Sequence, residues 1–226
     1  MKKVKYERIE HFGVKVVKKR SLNIVREEFA PINTKPSLPK FDGLVERNAY
    51  TDDTGTRYRR EWCEEYREHC LKNFDLNMQY FNSLDKEEFN DTIINFLKKH
   101  SDFCEVTNLF DYAGVPGYYL MILDEYKQVY IGKSEDVKRR IMDHWSRIKE
   151  FDRTLFPMYA DKTSGFSIDF FRALDTTRIY VSRSTLLYGI EADLVSDFPK
   201  KYLLNRIGGD ISTGVEALAT MNKRNL

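Results

Sequence analysis

Cysteine, proline and long apolar runs are all scarce in this chain, and each scarcity excludes a class of protein. Three cysteines in 226 residues, Cys63, Cys70 and Cys104, cannot all pair and suit a reducing compartment better than a disulfide framework. Together with His69 they could be imagined as zinc ligands, but their spacing matches no common ligand pattern. No apolar run approaches the length of a membrane span. The opening stretch MKKVKYERIEHFGVKVVKKR carries lysines without the apolar core of a signal peptide. The expected location is therefore the cytoplasm. Of the six prolines, three fall close together in APINTKPSLPKFDG, which marks an extended connector over residues 30–43. Internal repeats and low-complexity blocks are absent.

What is present describes a folded protein with a heavily solvated surface. Hydrophobic residues make up 42% of the chain and aromatics 14%, too much for general disorder, while 32% of residues are charged. The length allows one good core and a smaller companion. A net charge of +2 conceals an uneven distribution. Residues 1–20 hold eight Lys or Arg against two Glu, an arm suited to phosphate, whereas residues 51–110 hold eight basic and thirteen acidic residues.

Residues 1–29 alternate enough to predict one or two strands. Tyr58, Trp62, Tyr66, Cys70 and Phe74 recur at helical spacing and predict a helix over about 56–80. A second helix is expected to start with Ser83 as N-cap, to carry Asp85, Glu87 and Glu88 in its first turn, and to bury Phe89, Ile93, Phe96 and Leu97. NLFDYAGVPG then interrupts any regular element. The division expected is an N-terminal region, 1–110, for DNA binding or dimerisation (basic arm 1–29, helices 56–100), then a second domain, 111–210, and a tail, 211–226.

Beyond that boundary YYLMILD reads as a strand, DEYKQ as a turn and VYIG as a second strand, a hairpin over 117–132. Alternation puts Tyr119 on one face with Met121 and Leu123, and turns Tyr130 away from Val129 and Ile131. Ser134 is placed to cap the next helix, with Glu135 and Asp136 at its positive end. That helix has an apolar stripe of Val137, Ile141, Trp145 and Ile148. Arg140 and His144 lie along one flank with Arg147 beyond, looking across the hairpin. Taken singly, the tyrosines read as packing and the arginine and histidine as solvated surface. Their ordered occurrence together points to chemistry.

In that order the residues resemble the GIY-YIG nuclease superfamily. The two named tripeptides correspond to GYY at 117–119 and YIG at 130–132, with Tyr118 where the family usually has isoleucine. The resemblance implies an α/β (α+β) domain, a three-stranded antiparallel sheet flanked by helices, over about residues 114–210. The family's catalytic arginine matches Arg140, and a histidine one turn later matches His144. TRIYVSR supplies the implied third strand. STLLYGIEADLVSDF supplies the implied helix, with its metal-binding glutamate at Glu191 inside a stripe of Leu187, Ile190, Leu194 and Phe198. A carboxylate on a buried face needs a partner, and a metal ion is one such partner. Asn205 in YLLNRIGG fits the remaining position.

The implied chemistry is hydrolysis of a DNA phosphodiester. Glu191 would hold a single Mg²⁺, with Mn²⁺ as a substitute. Arg140 would face the scissile phosphate. One of Tyr119 and Tyr130, with His144 relaying the proton, would be the general base, and the residues alone leave the two phenols equivalent. Asn205, Lys133, Arg139 and Arg147 would orient substrate. The expected function is a divalent-metal-dependent endonuclease acting on double-stranded DNA in a restriction or defence setting, as a homodimer on DNA. A mobile-element or structure-specific nuclease, and a catalytically silent DNA-binding module, are the alternatives.

Overall fold

The computed structural model of the chain describes residues 7–18, 22–30, 50–51, 57–58, 60–147, 166–185 and 190–205. Most of the proline connector and the tail, as well as Leu187 and Ile148, lie outside the described residues.

The chain opens on an antiparallel hairpin, β1 (Arg8–His11) and β2 (Val14–Val17). Its two-residue turn needs positive φ at both positions, and Phe12 (φ 48) and Gly13 (φ 73) supply it. Phe12 tolerates this because the turn is anchored: its carbonyl accepts from Leu109 N at 3.0 Å, and its ring stacks 6.3 Å from Trp145. The hairpin is thus packed against the body of the protein, with Val14 buried.

A short pair, β3 (Tyr50–Thr51) and β4 (Arg57–Tyr58), precedes the first helix. Tyr58 is a strand residue, so the helix expected from about 56 begins later, as α1 (Arg60–Ser83). It buries Cys63, Cys70, Phe74 and Phe81, which recur four or seven residues apart. The cap of α2 (Lys86–Lys99) is Asp85, whose carboxylate accepts from Glu88 N at 2.7 Å. Ser83 is not the cap, because its hydroxyl donates back to Tyr80 O and closes α1 instead. Phe89, Ile93 and Phe96 are buried as expected, and Leu97 is half-buried.

The main sheet contains β5 (Cys104–Glu105), β6 (Gly117–Leu123), β7 (Gln128–Ser134) and β8 (Arg178–Arg183). Its order is β5-β8-β6-β7, with all three pairings antiparallel. There are four strands rather than three, since Cys104–Glu105 adds itself to the outer edge of β8. The protein is therefore a mixed α/β structure built on antiparallel sheets.

Both faces of β6 are covered, and all seven of its residues are buried. Tyr119, Met121 and Leu123 pack with Phe74 and Phe81 of α1 and with Ile141 and Trp145. Tyr118, Leu120 and Ile122 pack with Val129 and Ile131 and with Phe89, Ile93, Phe96 and Leu194. Tyr118 thus fills a core position on the face opposite Tyr119. Each buried phenylalanine here contributes about 1.5–3 kcal/mol of apolar transfer.

Two helices complete the frame. Helix α3 (Val137–Ser146) is capped by Asp136, whose Oδ1 accepts from Arg139 N at 2.9 Å. Ser134, the residue expected there, instead braces the turn, accepting from Asp136 N and donating to Asp136 O. Helix α4 (Ile190–Ser196) buries Glu191 and Leu194 but leaves Ile190 exposed, so Ile190 is not part of the buried stripe. No described helix is long and apolar enough to cross a membrane.

Candidate functional site

The pleat and register of β6 and β7 bring the two tyrosines to one face. Met121 pairs with Tyr130 and Tyr119 with Gly132, so both phenols project from the same side of the sheet. The glycine is required there. A Cβ on Gly132 would fall on the ring and hydroxyl of Tyr119, and one on Gly117 would strike the carbonyl of Ser182 in β8. With both absent, the Tyr119 ring lies over β7, 6.1 Å from the Tyr130 ring.

Helix α3 places His144 against them. Its Nε2 lies 2.9 Å from Tyr119 Oη, and its ring meets Tyr130 edge-on at 5.1 Å. On the other side, His144 Nδ1 lies 2.7 Å from Asp169 Oδ1. Asp169 sits in the short turn Ile168–Phe170, which Ser167 caps. That turn is anchored by aromatic packing: Phe29 meets both Phe166 and Phe170 at 5.2 Å, and Phe74 meets Phe166 at 5.8 Å. Arg147 Nη1 approaches the second Asp169 oxygen at 3.6 Å.

Arg140, one turn before His144, is half-buried and bears electrostatically on both phenols. Burial pushes the Tyr119 phenol well up, and the Tyr130 charge adds to this while Arg140 opposes it. Tyr130 is also pushed up, mainly by burial, with Arg140 opposing. Burial lowers His144, against the pull of Asp169. At neutral pH the cluster therefore holds two neutral phenols, a neutral imidazole and a charged guanidinium.

Glu191 reaches the same cluster from α4, packed beside β7, and its charge also raises both phenols. It pairs with Lys133 Nζ at 3.4 Å. Asn205 is tied to the backbone of β7: it accepts from Ile131 N at 2.9 Å and donates to Ile131 O at 2.6 Å. It thereby holds the strand that carries Tyr130. Arg139 is exposed on α3.

Tyr119, Tyr130, Arg140 and His144 are thus gathered directly, Glu191 and Lys133 form an adjoining pair, and Arg147 joins through Asp169. Asp169 is the residue that sequence reasoning missed. It stands 25 residues after His144, in SIDFF, where neither helical nor strand periodicity marks it.

Comparison of the chain with protein-family models, with curated proteins and with solved structures finds no match in any of the three. The site must be read from its own chemistry.

Among the described residues no three His, Cys, Asp or Glu side chains gather as a metal cluster. Within this cluster, Glu191 offers a buried carboxylate facing a positive charge. One carboxylate fits Mg²⁺, which keeps several waters and takes its remaining oxygens from a phosphate substrate. It would not make a closed structural zinc site.

Proposed function

We propose that this chain is a divalent-metal-dependent endonuclease of the GIY-YIG type, hydrolysing phosphodiester bonds in double-stranded DNA. One observation carries the reading: a hydrogen-bonded phenol and imidazole, Tyr119 and His144, stand beside a half-buried guanidinium and a buried carboxylate. A solvated surface would not assemble these groups, and a packing core would not bury them.

Phosphodiester hydrolysis needs a base for water, positive charge at the phosphate and relief of charge on the leaving oxygen. Tyr130 is partly exposed whereas Tyr119 has no accessible surface, so Tyr130 is the phenol that meets the attacking water. Tyr119 and His144 then take the proton inward. Arg140 presents a permanent planar cation to the scissile phosphate. Glu191 would hold the divalent ion, which when bound neutralises charge developing on the phosphate. Lys133 is the cation that Glu191 would exchange for it, and once released it can contact phosphate. Asn205 fixes the Tyr130 strand, and Arg139 and Arg147 offer exposed charge to the DNA backbone. A restriction or defence role is the setting we favour, with a homodimer providing two active sites for a double-strand cut.

Supercoiled plasmid incubated with the purified protein should be nicked or linearised in Mg²⁺ and in Mn²⁺, and left intact with EDTA. Sequencing the ends separates site-specific restriction from mobile-element or structure-specific cleavage. DNA binding without any cut in either metal would instead mark a silent binding module.

A further inference from the structure

We propose that Asp169 is a positioning residue of this site, fixing His144 in the tautomer whose bare Nε2 accepts the Tyr119 proton. The proposal rests on the nuclease reading for its purpose, but not for its geometry. An imidazole with hydrogen-bond partners on both nitrogens has two ways to orient its single proton. Asp169 Oδ1 at 2.7 Å from Nδ1 decides between them. With the proton on Nδ1, it is donated to the carboxylate and Nε2 accepts from the Tyr119 hydroxyl at 2.9 Å. With the proton on Nε2, two lone pairs would face each other across 2.7 Å in a nearly dry site, since His144 is 2% exposed.

The consequence is a directed path. The Tyr119 O–H bond breaks and its proton passes to Nε2, leaving a phenolate and an imidazolium. Asp169 remains ionised and stabilises that imidazolium through Nδ1–H, a role that carboxylates play behind histidine generally. The phenolate recovers a proton from the water side through Tyr130, so the net transfer is from water to His144. Among the described residues, the charged and titratable groups that face His144 all enter the balance: Tyr119 from β6, Tyr130 from β7, Asp169 from the 168–170 turn, Arg140 from its own helix and Arg147 from that helix's C-cap. Both arginines oppose the imidazolium. Asp169 is the carboxylate in contact with it.

Arg147 gives the test its sharpness. In Asp169→Asn, the amide oxygen is drawn to Arg147, which turns the NH₂ group toward Nδ1 and reverses the tautomer. Long-range ¹H–¹⁵N NMR of the full chain near neutral pH, with His144 assigned through His144→Gln, should show the Nδ1–H tautomer in wild type and the Nε2–H tautomer in Asp169→Asn. Plasmid cleavage by Asp169→Asn should fall about 10²–10⁴-fold with DNA affinity unchanged. Its acid limb should also move to lower pH, because the anion that raises His144 is gone. An Nε2–H tautomer in the wild-type protein, which needs no variant to fold, would overturn the proposal. So would an Asp169→Asn variant with unchanged tautomer and pH profile. If wild type shows the Nδ1–H tautomer but never cuts DNA, the nuclease reading fails and the positioning role of Asp169 stands.

Discussion

The hydroxyl of Tyr119 and Nε2 of His144 lie 2.9 Å apart, inside the protein, where the tyrosine has no accessible surface. Tyr119→Phe keeps the ring and its packing but removes the proton carried along that contact. Tyr130→Phe removes the phenol that faces the substrate. Each should reduce plasmid cleavage about 10²–10⁴-fold while leaving thermal unfolding within a few degrees of wild type. Near-normal turnover in both would eliminate tyrosine from the mechanism.

Arg140→Ala and Glu191→Ala test the charges at the phosphate and the metal. Each should slow cleavage at least about 10²–10³-fold, the usual effect of deleting a group that stabilises transition-state charge. Excess Mn²⁺ should partly restore a Glu191→Asp variant and should do nothing for Arg140→Ala. A folded variant of either kind cutting at the wild-type rate would reassign that residue.

Gly132→Ala probes why the strand that carries Tyr130 contains a glycine. The added methyl falls on the Tyr119 ring, which is fully buried and cannot swing away cheaply. We expect a loss of about 1–3 kcal/mol in urea unfolding, and a cleavage defect larger than that loss explains, because Tyr119 is displaced from His144. A stable, fully active Gly132→Ala would show that the close approach is dispensable.

Asp175 links stability to pH. Burial pushes its carboxyl up to about 6, although Arg172 N, Tyr126 OH and Ile24 N all donate to it. A raised carboxyl favours the protonated folded state, so its stabilising contribution is complete below the unfolded value near 3.8 and is lost as pH rises through about 6. Asp175→Asn cannot titrate. Its deficit relative to wild type should therefore shrink by roughly 1–3 kcal/mol between about pH 4 and about pH 7, read from denaturant midpoints at each pH. A deficit that stayed constant or grew would place the carboxyl lower.

Deleting residues 1–20 would remove buried Val14 and the contact of His11 Nε2 with Thr176 O, so it would disturb the fold as well as the charge. Arg8 and Lys15 are exposed on the hairpin, whereas Lys18 is engaged with Glu7 at 2.9 Å. Arg8→Ser with Lys15→Ser should weaken duplex binding and flatten the salt slope by up to about 1.8, each phosphate contact contributing about 0.9. An unchanged slope would move recognition away from the hairpin.

The local sequence determined what depends on near neighbours. Alternation in YYLMILD and VYIG placed the hairpin and put Tyr119 with Met121 and Leu123, and four-residue spacing put Arg140 and His144 on one side of a helix. Caps were less legible: Ser83 and Ser134 are good capping residues, but an aspartate two positions later fits each helix start better, and each serine found other backbone partners, Ser83 in Tyr80 and Ser134 in Asp136 itself. Tertiary structure alone decided the rest. Cross-strand register set Tyr119 over Gly132 and left Tyr130 as the more exposed phenol. The pairing of Cys104–Glu105 with β8 spans over 70 residues of chain, and Asn205 meets Ile131 across a similar span. Asp169 is the clearest case, because it reaches His144 only after Phe29, Phe74, Phe166 and Phe170 pack together and fix its turn. Periodicity reports which face of an element is buried; it carries no information about which distant carboxylate the fold will bring to that face.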